Sequence, residues 1–114
     1  MTIKRHEPSK IYSTAVEANG FVFLSGITPK DTTQDIKGQT RQVLTEIDRL
    51  LKLGSTDKTK LVSATIWVSD IRFRDGMNEE WIPWIGTHLP VRACIEAKLA
   101  DPKMLVEIQV TAVK

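Results

Sequence analysis

The sequence predicts an α+β domain in which two helices cover one face of a mainly antiparallel sheet. Two observations carry this prediction. Several short segments alternate apolar and polar residues, as half-buried strands do, whereas two longer segments repeat apolar residues at helical spacing. These segments follow one another as strand, strand, helix, strand, helix, strand, strand, and residues 3–7 leave room for a short strand before them.

Composition limits the class of protein. The chain has 114 residues, of which 41% are hydrophobic and 26% charged, so residues 1–114 are expected to form one globular domain. The net charge of +2, with scattered Lys and Arg, argues against a nucleic-acid partner. One cysteine excludes an intrachain disulfide. No apolar run has membrane-spanning length and residues 1–10 lack the apolar core of a signal peptide, so we expect a cytoplasmic protein without membrane contact.

The first strands are predicted to form a hairpin. Residues 11–18 and 21–25 flank Asn19 and Gly20, the dipeptide that most strongly favours a two-residue hairpin turn. The segment that follows, residues 27–33, contains Pro, Lys and Asp and reads as a loop.

A long first helix is predicted after this loop. Asp35 can cap its start, and the helical spacing continues to about Leu53, with Gly54 after the end. The stripe expected to face the core contains Ile36, Thr40, Val43, Ile47, Leu50 and Leu51.

A strand over residues 61–69 and a second helix follow. Asp70 or Asp75 can cap this helix, and Gly86 closes it. Its apolar stripe is expected to contain Met77, Trp81, Ile82 and Ile85. Pro83 removes a helical hydrogen bond, so it is expected to kink the last turn or to end the regular helix early.

The last part of the sequence predicts a second hairpin, one face of which carries the candidate site residues. Residues 91–99 and 105–113 both alternate, and an Ala-Asp-Pro-Lys segment between them suits a turn. In such a hairpin Arg92, Cys94 and Glu107 share the face opposite the apolar residues. The plain alternative is that this face is simply solvated, as one face of an antiparallel sheet often is.

The same face is predicted to carry Phe21, Phe23, Trp67 and Leu105, and no third helix remains to cover it. Large apolar side chains exposed together usually mark an interface. The sequence therefore predicts an oligomer whose contacts enclose the polar residues. An enclosed Arg92 then needs a carboxylate or an anionic ligand as its partner.

Two segments near the end of the chain resemble the signature of the Rid family, the reactive intermediate deaminases, also called the YjgF family. They are Pro-Val-Arg-Ala-Cys-Ile-Glu at residues 90–96 and Val-Glu-Ile at residues 106–108. The resemblance extends over nearly the whole chain, through Leu24-Ser25-Gly26, residues 38–54, residues 65–70 and Met77-Asn78. It implies a chorismate-mutase-like fold and a homotrimer with clefts between its subunits.

The resemblance also implies an enzyme that hydrolyses enamine or imine intermediates, such as 2-iminobutanoate and 2-iminopropanoate, to 2-oxoacids and ammonia. Arg92 matches the family's arginine that binds the substrate carboxylate with a planar fork that a lysine cannot supply. Glu107 matches the glutamate that positions the attacking water and can accept its proton. The expected partner is a small imino acid or 2-oxoacid, and the sequence shows no cofactor motif and no metal-ligand spacing.

The remaining site residues follow from the same resemblance. Cys94 matches a cleft cysteine whose backbone, more than its sulfur, meets the substrate, although a lone cysteine is more often a small buried filler. Tyr12, Ser25 and Asn78 fall on family positions that line or support the cleft. Gly26 would let the backbone approach a ligand closely.

Alternative interpretations stay open at this point. Arg92 can be a structural ion-pair partner of Glu96 or Glu107. His6 and His88 have no metal or catalytic spacing and read as structural residues. A second function class is a non-catalytic regulatory module that binds a small carboxylate in the same cleft. An RNA-directed activity, ascribed to some family members, ranks last because the chain shows no basic stripe.

Overall fold

The computed structural model describes residues 2–114, so only Met1 of the expected domain lies outside the described residues. One six-stranded sheet carries two helices on one face, which confirms the predicted α+β class. The strands are β1 (Ile3–Pro8), β2 (Ser13–Ala18), β3 (Phe21–Leu24), β4 (Leu61–Val68), β5 (Val91–Glu96) and β6 (Val106–Val113). The helices are α1 (Ile36–Leu53) and α2 (Arg74–Ile85), and short 3-10 turns occupy Lys58–Lys60 and Ile71–Phe73.

The predicted first hairpin is confirmed. Strands β2 and β3 pair antiparallel, and the turn residues Asn19 and Gly20 have φ angles of 52° and 81°. Both values lie in the left-handed region that a two-residue turn of this type requires, which explains the Asn-Gly choice. β1 pairs with β2 at one edge of the sheet, so the short strand before the hairpin also exists.

Helix α1 begins and ends as predicted. The Asp35 carboxylate accepts a hydrogen bond from the Gly38 N–H at 2.9 Å, which satisfies one free donor of the first turn. At the other end the Gly54 N–H donates to the Leu50 carbonyl at 3.1 Å. The predicted stripe is buried apart from Ile36, which is only partly covered.

Helix α2 differs from its prediction in two respects. It runs through Pro83 to Ile85, so the expectation of an early end is wrong. Trp81 and Ile85 are buried in the core and hold this last turn by packing, which outweighs one missing hydrogen bond. Ile82 is 65% exposed, so it does not belong to the buried stripe. Asp70 caps the short 3-10 turn before α2 rather than the helix itself.

Strands β5 and β6 do not form the predicted hairpin. The strand order is β1-β2-β3-β6-β4-β5, so β4 lies between them, antiparallel to β6 and parallel to β5. The connection between β5 and β6 crosses the end of β4: the Ala97 N–H donates to the Val68 carbonyl, and the Ser69 N–H donates to the Leu105 carbonyl. The chain does turn at Asp101, whose carboxylate accepts the Lys103 N–H at 2.9 Å.

This topology reverses the predicted faces of β5. In register, Arg92 pairs with Ala64 and Cys94 pairs with Ile66, and both β4 residues are buried under the helices. Residues paired across strands point to the same face, so Arg92 and Cys94 face the helices. The apolar residues of β5 point to the opposite, open face, with Val91 74% exposed and forming part of it.

The open face of the sheet carries several large apolar side chains beside polar ones. Phe21 and Phe23 lie on it with ring centres 5.9 Å apart, and alternation adds Trp67 as predicted. Val91 and Ile95 extend the same surface at the β5 edge. An exposed apolar surface of this extent is typical of a protein interface. No helix within residues 2–114 has the length and apolar character needed to cross a membrane.

Candidate functional site

Arg92 is held in place by helix α2. Its Nη1 group donates a hydrogen bond to Asn78 Oδ1 at 2.7 Å, and its guanidinium carbon lies 5.4 Å from the centre of the Trp81 ring. Asn78 and Trp81 are three residues apart and therefore lie on one side of α2. Cys94 is two residues along β5 on the same face as Arg92. We call Asn78, Trp81, Arg92 and Cys94 the arginine cluster.

The thiol of Cys94 is not an activated nucleophile. Cys94 is half-buried and packs against the core, and this burial raises the pKa of its thiol above the usual value. The positive charges of Arg92 and Arg74 oppose that effect but do not overcome it. The thiol therefore stays protonated at neutral pH, and the side chain of Cys94 packs against the core.

Glu107 lies on the open face of β6, beside the backbone of Gly26. A Cβ atom added to Gly26 would overlap Oε2 of Glu107 and lie 3.0 Å from its Cδ, so a larger residue there requires the carboxylate to move from this position. Partial burial raises the pKa of Glu107, and within residues 2–114 no neighbouring charge or hydrogen bond opposes this effect. Glu107 is thus a carboxylate that has no hydrogen-bond or ion-pair partner among the described residues. We call Ser25, Gly26 and Glu107 the glutamate cluster.

Three residues that sequence reasoning placed in the site meet around one cavity. Tyr12, Ser25 and Gly26 line a cavity of about 620 Å³ between the start of β2, the segment after β3, and helix α1. The Ser25 N–H donates to the Thr14 carbonyl at 2.9 Å, which fixes this segment beside β2. Tyr12 is 55% exposed at the edge of the cavity. Gly26 borders both the cavity and the Glu107 carboxylate.

The two clusters lie on opposite faces of the sheet. Arg92 pairs with Ala64 on the helix-covered face, whereas Glu107 pairs with Trp67 on the open face. The prediction that Arg92, Cys94 and Glu107 share a face is therefore wrong. It failed because the insertion of β4 turned a supposed hairpin strand into a parallel edge strand, which can point its apolar residues outward. In one chain the sheet separates the guanidinium from the carboxylate.

The structural ion pair proposed as an alternative for Arg92 does not form in the described part of the chain. Arg92 lies against Asn78 and Trp81 instead. Glu96, one of the two possible partners, accepts the Ile71 N–H at 2.8 Å and so serves the turn before α2. The outer edge of the Arg92 guanidinium is left free for a ligand.

The histidines take no part in either cluster. His6 pairs with Glu17, which also forms an ion pair with Lys114, so this histidine ties β1 to β2 in a partly buried network. This agrees with the structural role expected for His6. His88 is exposed in the segment between α2 and β5 and lies near Asp57. Across residues 2–114, no group of three His, Cys, Asp or Glu side chains is placed to hold a metal ion.

Sequence reasoning missed two features of the site. Trp81 was assigned to the helix core, although its ring also supports Arg92. The spacing of three residues between Asn78 and Trp81 could have suggested this shared contact. The cavity walls contributed by Arg41, Gln42 and Thr45 of α1 carry no sequence signal that distinguishes them from a solvated helix face.

Comparison with known proteins gives a consistent result. A family model described as endoribonuclease L-PSP matches residues 2–114. A curated relative from Haemophilus ducreyi, described as a RutC family protein, is 37% identical over 111 residues and covers 96% of this chain and 95% of its own. A relative from Arabidopsis thaliana, described as Reactive Intermediate Deaminase A, chloroplastic, is 29% identical over 107 residues, covering 89% of this chain and 57% of its own.

The solved structures agree at the level of the fold. A member of the YjgF protein family from Neisseria meningitidis has 41% sequence identity and a TM-score of 0.97, over all of this chain and 96% of the other. The two chains therefore share one fold over their whole matched length.

Proposed function

Because this chain belongs to the endoribonuclease L-PSP family, also called the YjgF family, we propose that it is an imine deaminase. Its substrates would be enamine or imine forms of small amino acids, such as 2-iminobutanoate and 2-iminopropanoate, and its products 2-oxoacids and ammonia. The signature at residues 90–96 and 106–108, which contains Arg92 and Glu107, supports this assignment. So does the name of one relative, Reactive Intermediate Deaminase A.

One observation carries the proposal: each chain holds two incomplete halves of a site. The arginine cluster presents a cation with a free edge, and the glutamate cluster presents a carboxylate that lacks a partner within the described residues. Because the sheet separates them, a small substrate can meet both only between two copies of the chain. We therefore propose a homotrimer in which Arg92 of one subunit faces Glu107 of the next, and the apolar open faces form the contact.

In this cleft the substrate carboxylate binds Arg92. Nη1 is occupied by Asn78, so the edge formed by Nε and Nη2 remains for two parallel hydrogen bonds to the carboxylate. The backbone beside Cys94 lies next to the same position. On the facing subunit, Tyr12 and Ser25 would line the cleft, and Gly26 would allow the chain to approach the substrate closely.

Glu107 would then act as the general base for the attacking water. Its carboxylate accepts a proton while the water oxygen attacks the imine carbon, which forms a C–O bond and turns the C=N bond into C–N. The proton returns to the nitrogen, which gives a carbinolamine. Glu107 would then carry the hydroxyl proton of this carbinolamine to the same nitrogen, so that the C–N bond breaks, the C=O bond forms and ammonia leaves. A raised pKa suits this role because a partly buried carboxylate is a stronger base than a solvated one.

A non-catalytic module is the second candidate function. The arginine cluster alone suffices to bind a small carboxylate, such as a 2-oxoacid, and that geometry is present in the single chain. Such a module would have no need for Glu107. An RNA-directed activity, which the family description names, still ranks last because the net charge is only +2.

A coupled assay tests the proposal. Threonine dehydratase or an amino-acid oxidase generates the imine in place, and the release of 2-oxoacid is recorded with and without this protein. Acceleration by the wild type is expected, and Arg92→Ala and Arg92→Lys should each lose about 2–4 kcal/mol of transition-state binding. Arg72→Ala is the matched control, since Arg72 is exposed and pairs only with Asp70.

Two results would contradict the proposal. No acceleration by the assembled wild type would exclude the deaminase and leave the binding module. Near-normal rates for Arg92→Lys would exclude a bidentate hydrogen bond to the substrate carboxylate, because a lysine cannot form one.

A further inference from the structure

We propose that Trp81 is the positioning residue for Arg92 and thereby sets the affinity of the cleft for the substrate carboxylate. The Arg92 guanidinium carbon lies 5.4 Å from the Trp81 ring centre, within the range of a cation–π contact. Trp81 itself is only 4% exposed, so the contact places a long, exposed side chain against a buried ring. This inference rests on the proposed function, because it concerns the same cleft.

The Trp81 ring is itself fixed by its surroundings. It packs against Trp84 with ring centres 5.4 Å apart and an interplanar angle of 48°. The Trp84 Nε1–H donates to Asp48 in α1 at 3.0 Å, and Lys58 lies 5.2 Å from the Trp84 ring centre. Helix α1 and the turn at Lys58–Lys60 therefore hold Trp84, and Trp84 together with the core packs against the buried Trp81 ring.

Asn78 and Trp81 restrict Arg92 in different directions. Asn78 fixes the Nη1 end through a hydrogen bond, and the Trp81 ring limits the position of the guanidinium as a whole. A flexible arginine loses rotamer freedom when it binds an anion, and prior ordering removes part of that cost. The remaining edge, Nε and Nη2, is thus presented in advance for a carboxylate.

The expected consequence is a change in binding rather than in chemistry. The carboxylate is not the reacting group, so its misplacement weakens the ground state and the transition state alike. Trp81→Leu should raise the KM about 10-fold and change kcat by less than about 2-fold. Trp81→Phe keeps an aromatic face and should restore the KM to within about 3-fold of the wild type.

A matched control separates this role from general loss of packing. Ile85 lies one turn further along α2 and is 4% exposed, like Trp81. Ile85→Ala should lower the unfolding midpoint at least as much as Trp81→Phe, yet leave the KM unchanged. An equal rise of the KM in Ile85→Ala would show that any loosening of α2 has the same effect, which overturns the proposal.

Fluorescence gives a second, independent measurement. When 2-oxobutanoate neutralises Arg92, the charge over the Trp81 ring changes, so the indole emission should shift on titration. Measured in a Trp67→Phe background, which removes the indole beside Glu107, the shift should be abolished by Trp81→Phe although Trp84 remains. This titration tests the proposal even if Trp81→Leu fails to assemble. An emission shift that persists in Trp81→Phe would overturn the proposal. So would the absence of a shift in a wild type that binds 2-oxobutanoate.

Calorimetry with 2-oxobutanoate distinguishes failure of the proposal for Trp81 from failure of the proposed deaminase function. A wild type that hydrolyses imines, with an unchanged KM in Trp81→Leu, overturns only the role of Trp81. A wild type that binds 2-oxobutanoate in a Trp81-dependent way but accelerates no hydrolysis overturns only the deaminase. A wild type that neither binds nor hydrolyses overturns both.

Discussion

Arg92 and Glu107 lie on opposite faces of one sheet, with β4 between their strands. Glu107 shares a row with Trp67 and Ile95 on the open face, whereas Arg92 shares its row with Ala64 under the helices. The backbone of one chain thus separates the two groups that the proposed substrate would touch. Under the proposed function, assembly is therefore a condition for a complete site.

The first prediction concerns the mass of the particle. Three chains of 12.8 kDa give a closed trimer of about 38 kDa, held by the apolar open faces. Light scattering at micromolar concentration measures this mass. A monomer would contradict both the interface and the cleft between subunits. Phe23→Asp, at a position 43% exposed on the open face, should shift the particle toward smaller species.

The second prediction is complementation between two inactive variants. Arg92→Ala keeps an intact Glu107, and Glu107→Gln keeps an intact Arg92. Random mixing after co-expression should restore about a quarter of the wild-type activity, because each mixed trimer contains one cleft with both groups intact. Separately purified variants mixed without subunit exchange are the control. No restoration in proven mixed trimers would mean that the site is not shared between subunits.

The third prediction concerns Glu107→Gln alone. The amide keeps the volume of the side chain but cannot accept a proton from water. The variant should therefore still bind 2-oxobutanoate, while its rate of imine hydrolysis falls by up to about 100-fold. In the wild type the rate should fall as pH drops through the raised pKa of Glu107, which lies above 4.5. Calorimetry and the coupled assay measure the two effects. Weaker binding with an unchanged rate would point to a purely electrostatic role.

The fourth prediction uses Gly26. A Cβ atom there would overlap the Glu107 carboxylate, so Gly26→Ala must displace that side chain. Hydrolysis should fall about 10-fold through misplacement of the base. In the Glu107→Gln background, Gly26→Ala should lower the hydrolysis rate little further, because the base is already absent. Additive losses would indicate that Gly26 acts on the substrate directly.

The fifth prediction concerns stability and pH. Hydrogen bonds from Lys114 and His6 lower the pKa of Glu17 from 4.5 to about 2. A lowered pKa means that the carboxylate stabilises the fold fully above pH 4.5 and loses this contribution as pH falls toward 2. The difference in unfolding free energy between wild type and Glu17→Gln should shrink over that interval. Glu79→Gln, at an exposed ion pair, should show a much smaller difference.

The sequence allowed accurate prediction of local structure. Asn19-Gly20 and Asp35 act through neighbouring backbone atoms, and both do what their residue types predict. Of the two outcomes expected at Pro83, the early end does not occur, because tertiary packing around Trp81 and Ile85 outweighs the local rule. Local signals are reliable where no distant contact competes with them.

Strand pairing and the faces of β5 could not be predicted in the same way. Alternation shows that Arg92 and Val91 point in opposite directions, but it does not show which direction is the core. For an edge strand beside β4, that choice depends on residues distant in sequence, and here the apolar side faces outward. Tyr12, Ser25 and Gly26, which the resemblance assigned to the cleft, line one cavity, and their role there stays a prediction. The contact of Trp81 with Arg92 depends on how α2 packs beside β5, which the sequence pattern does not reveal.

The placement of Arg92 and Glu107 on opposite faces also has a genetic consequence. In the proposed trimer each subunit serves two clefts, giving its arginine to one neighbour and its glutamate to the other. A gene copy encoding both Arg92→Ala and Glu107→Gln, expressed equally beside an intact copy, would leave only about a quarter of the clefts working rather than half. A defective allele of this protein should therefore behave as partly dominant.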